Sequence, residues 1–170
     1  MHVTILQLTR EKEAPYHGNE DEVFAMNEEH FPDGVTEHTG KDMLDDIYTL
    51  EDWLGRALVV KGTEKCGSKN VRWLEIDTHR LGPLFEPYFN DVQKAVADLA
   101  KMTLADFVSG NSAISDAMYK LKSAYSFDGI YIMDESGSCY AISEWLRDIQ
   151  SGDAQRIQRF YVHAAYDGDQ

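Results

Sequence analysis

Along residues 3–9 the apolar side chains fall on both faces of an extended chain, Val3 and Ile5 on one and Leu6 and Leu8 on the other. A strand buried on both sides reads this way, so the first element is expected inside a sheet rather than at its edge. The period then lengthens. Over residues 19–31, helical spacing gathers Val23, Phe24, Met26, Asn27, His30 and Phe31 on one face and Asp21, Glu22, Glu28 and Glu29 on the other. Asn19 stands at the N-cap position of this expected helix, with Glu22 three residues on, and Pro32-Asp33-Gly34 reads as the turn that ends it. Residues 41–48 repeat the division, with Met43, Leu44 and Ile47 set against Asp42, Asp45 and Asp46. Thr49 is expected to cap a separate short helix in which Leu50, Trp53 and Leu54 turn inward and Glu51 and Asp52 outward.

Two short apolar runs, 57–61 and 71–76, flank the polar, glycine-containing stretch 62–70 and predict a hairpin with a loose loop. A helical region follows Gly82-Pro83, with Asn90 as a cap for Val92, Val96, Leu99 and Ala100, and with a second capping pattern at Thr103 and Asp106. Ile114, Met118 and Leu121 mark a helix over 112–124. Residues 129–133 and 139–142 form the clearest hairpin signal, and Gly137 can supply the positive φ its turn needs. Ser143 then reads as the cap of a helix carrying Trp145, Leu146 and Ile149, and residues 159–164 as a last strand. About six strands, five or six helices and two hairpins predict an α+β fold on a mainly antiparallel sheet. At 170 residues one domain is expected: an acidic helical part over 19–55, a hairpin over 57–76, a helical part over 84–125, and a C-terminal hairpin and helix over 129–150.

Charge changes this picture more than composition does. The chain carries -14 at neutral pH with a pI near 4.7, and residues 1–52 hold 14 acids against 3 bases. Residues 53–80 reverse the sign, with 6 bases against 3 acids. A negative field of this kind repels nucleic acid and anionic membranes, so neither is an expected partner. No stretch is apolar enough to span a bilayer, the first residues lack a signal-peptide pattern, and Cys66 and Cys139 do not make a disulfide framework; a cytoplasmic protein is expected.

Candidate chemistry is sparse. His17, His30 and His38 lie among carboxylates, as a divalent metal site would require, but no zinc or EF-hand spacing is present. Cys66 has lysines nearby and His79 as a conceivable base, yet a polar loop is a poor platform for a nucleophile. No phosphate-binding loop, dinucleotide fingerprint or serine-nucleophile motif occurs, and no cofactor is expected. Residues 109–112, before a helix, could meet an anion, although an ordinary helix–helix connection has the same composition. Tyr125, Phe127, Tyr131, Tyr140 and Trp145 suggest core packing first and a recognition surface second.

What remains is the acidic surface. The pattern leads to a non-enzymatic binding protein that docks on a basic protein partner through Asp21, Glu22, Glu28, Glu29, Asp42, Asp45, Asp46, Glu51 and Asp52. In its specific form this is a DNA-mimic inhibitor of the anti-defence type carried by mobile elements, acting on a protein that handles nucleic acid. The alternatives are a small metal-assisted enzyme built on the N-terminal histidines and carboxylates, and an interaction module that works through its aromatics.

Overall fold

A computed structural model of the protein describes residues 2–13, 33–38, 41–110, 112–125, 129–152 and 155–169. The helix expected over 19–31, with Asp21, Glu22, Glu28 and Glu29, lies outside these residues. The fold is α+β. Seven strands among the described residues form one sheet, in the order β3 (Leu58–Cys66), β4 (Lys69–Asp77), β7 (Ile157–Asp169), β1 (His2–Thr9), β5 (Ile130–Met133) and β6 (Cys139–Ala141), with β2 (Asp33–His38) also paired to β7.

The sheet is organised around its last strand. β7, Ile157–Asp169, is thirteen residues long, far longer than the stretch 159–164 expected there. Along one edge it meets β1, His2–Thr9, with Ile5 opposite Tyr166 and Leu8 opposite Val162. Its other edge takes two strands end to end. β4, Lys69–Asp77, pairs with residues 157–162, and β2, Asp33–His38, with residues 165–169. β1 thus lies between β7 and β5, Ile130–Met133, the interior position its two apolar faces called for. The β1–β5 pair is parallel and every other pair is antiparallel.

Strand alternation sends Leu6, Leu8, Leu74, Ile76, Phe160, Val162 and Ile132 to one face of the sheet. Two helices close that face. α1, Lys41–Leu54, buries Ile47, Leu50 and Leu54; α5, Ile142–Ser151, buries Trp145, Leu146 and Ile149. Trp145 meets Phe160 edge-on at 4.9 Å between ring centroids, which favours the quadrupole geometry of aromatic pairs. Val3, Ile5, Met133, Ala164 and Tyr166 form a second cluster on the opposite face. The intervening helices are α2, Gly82–Ala100, α3, Leu104–Val108, and α4, Ser112–Tyr125. Leu84, Phe85 and Tyr88 dock the start of α2 on the first core, while α4 packs along α2.

Several local expectations are corrected by this arrangement. Asp33 and Gly34 open strand β2 rather than making a turn, because β7 extends far enough to offer them a partner. Thr49 does not cap a new helix; its hydroxyl donates to the carbonyl of Asp45, 3.0 Å away, inside a continuous α1. The loose loop over 62–70 is a tight hairpin: β3, Leu58–Cys66, runs to a turn at Gly67-Ser68, with Cys66 opposite Lys69 and Gly67 at φ +59°. The polar side chains that resembled a loop are the exposed rungs of an edge strand. Asn90 lies inside α2, which starts at Gly82 and runs through Pro87. Ser143 is not the cap of α5. Ala141 occupies that position, and the Ser143 hydroxyl is buried without a hydrogen-bond partner among the described residues. Two expectations hold as made. Thr103 and Asp106 form a reciprocal capping box, and Gly137 adopts φ +80° in the β5–β6 turn, where β6 is Cys139–Ala141.

Candidate functional site

Helix α1 carries the described part of the expected acidic surface. Its apolar positions set the orientation: burying Ile47, Leu50 and Leu54 forces the opposite side of the cylinder into solvent. Asp42, Asp45 and Asp52 lie on that side and are exposed. Their carboxylates make no hydrogen bond or ion pair with any described residue. Asp46 sits on one shoulder of the helix, half-buried, where Thr4 Oγ1 donates to it at 3.4 Å. Asp42 and Asp52 are ten residues apart, so the exposed ridge extends for about 15 Å at 1.5 Å per residue.

Glu51 departs from the expected pattern. It lies on the other shoulder of α1, facing the β3–β4 hairpin, and is only 6% exposed. Its carboxylate accepts from Lys61 of β3 and from Arg72 of β4, the latter at 3.0 Å. Both cations also approach the ring of Tyr48, at 5.9 and 5.0 Å from its centroid. Glu51 is therefore withdrawn from the expected acidic surface. A charge-rich hairpin packed beside an acidic helix neutralises the one acid that faces it.

Three other basic side chains, Arg80, Arg156 and Arg159, are tied to the fold as well, whereas Lys65 and Lys69 at the hairpin tip are exposed and form no ion pair with a described residue. Asp77, at the end of β4, is 1% exposed and gathers the charges around it. Arg156, just before β7, donates to it through Nη2 at 2.8 Å and through Nε at 3.2 Å. The amide of His79 adds a bond at 3.1 Å, and Arg80 lies 3.3 Å away. Above all the bonds from Arg156 hold the Asp77 carboxyl below the usual range, against the opposing effect of burial. On the sheet face away from α1, Arg159 pairs with Glu75 at 2.7 Å and stacks on Trp73 at 4.0 Å. These ions join β4 to β7, and an anionic ligand would have to break them to reach the cations.

The geometry also addresses the other sequence readings. Cys66 stands at the hairpin tip and His79 beyond the far end of β4, a strand of nine residues. At about 3.3 Å per residue they are separated by roughly 30 Å, so they do not form a nucleophile–base pair. Cys139 is a packed residue whose thiol is pushed up to about 12, by burial first and by Asp134 second. Of the metal candidates, His17 and His30 lie outside the described residues, and His38 is in β2. Among the described residues no group of three or more His, Cys, Asp and Glu side chains gathers as a metal site would. Trp145 belongs to the core, while Tyr140 and Tyr131 are half-buried against the two apolar clusters. Phe127 lies outside the described residues.

Sequence reasoning missed a different surface. α3 exposes Leu104, Phe107 and Val108 by 78%, 72% and 77%. Their spacing, i, i+3 and i+4, was a legible signal, but the segment is too short to announce a helix by periodicity alone. Beside it, a groove of about 780 Å³ between α2 and α4 is lined by Tyr88, Met102 and Tyr119 and by charges of both signs.

No protein-family model, curated protein or solved structure matches this chain. Its functional reading therefore rests on the geometry above.

Proposed function

We propose that this chain is a non-enzymatic binding protein that docks on a basic surface of a protein partner through the α1 ridge. The observation that carries this reading is that Asp42, Asp45 and Asp52 share the solvent side of one helix with no described cation to neutralise them. Nearby acids such as Glu51 and Asp77 are paired, so the unpaired three form a negative surface free to be read from outside. The surface is narrower than composition alone suggests. About 15 Å of ridge spans the rise of roughly four base pairs, at 3.4 Å per pair. A DNA-mimic inhibitor of a nucleic-acid-handling protein is the specific version, in which these carboxylates occupy the place of a few phosphates.

The reading is tested by immobilising the wild-type chain and an Asp42→Lys, Asp45→Lys, Asp52→Lys variant, and capturing proteins from the native host at low and high salt. A partner retained by wild type at low salt, released at high salt and not retained by the variant supports it. Equal capture by the variant at low salt refutes it. All three positions are exposed, so the variant is expected to keep its fold.

A further inference from the structure

The helical segment α2–α4 differs from the rest of the chain in its charge and its surface. Residues 82–125 hold five acids and four bases, so only one of the fourteen net negative charges lies there. The signs are interleaved rather than segregated. Lys101 donates to Asp98 at 3.0 Å and is the main reason that carboxyl titrates below its ordinary value, with Lys94 and Lys120 adding to the effect through space. Most of the large apolar side chains left exposed among the described residues lie in this segment: Phe89, Val96, Leu104, Phe107, Val108 and Met118 are each at least half exposed, as is Tyr119.

α3 concentrates this surface. Asp106 caps the helix by bonding Thr103 and lines the groove beside α2. Helical spacing then places Leu104, Phe107 and Val108 on the side turned away from Asp106. Five residues cannot bury an apolar face of their own, and no described element covers this one. Exposing three large apolar side chains together is costly in water, and such patches mark association surfaces.

From these observations we propose that the α2–α4 segment is the interface between two copies of this chain, with the α3 apolar face at its centre. A second copy fits on grounds of charge. Two chains of -14 repel each other over most of their surfaces, and this near-neutral face is where they can approach. Interleaved charges of both signs also suit a two-fold interface, in which each patch meets itself and acid can face base. The apolar side chains supply the desolvated centre that such an interface needs. This goes beyond the proposed docking of α1 and does not depend on it, because the two surfaces are on different helices.

Sedimentation equilibrium from about 1 to about 100 µM, bracketing a micromolar dissociation constant, tests the proposal. The expected result is a mass twice the 19.3 kDa chain, with a Phe107→Asp, Val108→Asp variant at least about tenfold weaker in self-association. Far-UV circular dichroism and melting temperature check that the variant folds; both positions are exposed and the Thr103–Asp106 cap is kept. Raising salt should tighten the dimer, because screening relieves the repulsion between two acidic chains. This is the opposite of its effect on the α1 contact, so the two readings fail separately. A wild-type chain that stays monomeric across the range overturns the proposal. So does a dimer that the double substitution leaves intact, or one that high salt dissolves.

Discussion

Gly62 of β3 lies directly beneath the indole of Trp73 on β4: a Cβ at position 62 would stand 2.5 Å from Cζ2 and 2.7 Å from Cε2 of that ring. The ring cannot easily move aside, because the guanidinium of Arg159 rests on it from the β7 side. Gly62 thus lets Trp73 lean across the edge strand. Gly62→Ala is expected to destabilise the fold by about 1–3 kcal/mol, the usual cost of overpacking. Urea unfolding measures this, and a change in near-UV circular dichroism would report the displaced indole. A melt identical to wild type would mean that the ring is free to shift.

The acids of α1 should divide into two classes. Glu51 is buried between Lys61 and Arg72, so Glu51→Ala leaves two cations without their partner and is expected to cost about 1–3 kcal/mol, moderated because Lys61 is half exposed. Asp42→Asn, Asp45→Asn and Asp52→Asn alter exposed, unpaired groups and should each stay within about 0.5 kcal/mol of wild type. Chemical denaturation of the four single variants checks the division. If Glu51→Ala proves neutral, the carboxylate is not bearing load between helix and hairpin.

This division also explains how far the fold was readable in the sequence. β1 was legible because Val3, Ile5, Leu6 and Leu8 need burial on both faces, whatever their neighbours. The capping box at Thr103 and the turn at Gly137 were legible because each depends on a few adjacent residues. Features set by distant partners were not. β2 exists because β7 is long enough to pair it, and nothing within residues 33–38 announces a strand. Thr63, Glu64 and Lys65 read as a loop until Arg72, Val71 and Asn70 are set opposite them. Glu51 has the same local pattern as Asp52, and only the hairpin packed across α1 separates them. For the same reason the acidic ridge was visible in outline, but which carboxylates belong to it was not.

Asp77 gives a prediction in pH. Its carboxyl titrates below its ordinary value of 3.8 in the folded protein, chiefly because Arg156 donates to the charged form. A depressed folded value means that the folded chain binds this proton less readily than the unfolded chain. The stabilisation is therefore fully present above the unfolded value and is lost as pH falls through the folded one. Asp77→Asn, which abolishes the charge, should be less stable than wild type by a constant margin above about pH 5. That margin should shrink as pH drops below 3.8. Urea melts of both proteins from neutral to acid pH measure it. A margin unchanged at the lowest pH at which both fold would show that the charge on Asp77 contributes nothing.

The two thiols should differ sharply in reactivity. Attack on a disulfide reagent requires thiolate, and Cys139, raised from 9.0 to about 12, holds about a thousandfold less of it at mildly alkaline pH than an ordinary cysteine. Cys66 lies at the hairpin tip beside the exposed turn at Gly67. Treating the native chain with an aromatic disulfide should therefore release about one equivalent of thiol quickly, and the second only after unfolding exposes Cys139. Cys66→Ser should abolish the fast phase, whereas Cys139→Ser should keep it. Two equally fast phases in the native protein would mean that the β5–β6 hairpin opens readily, and that the burial of Cys139 does not persist on the time scale of the reaction.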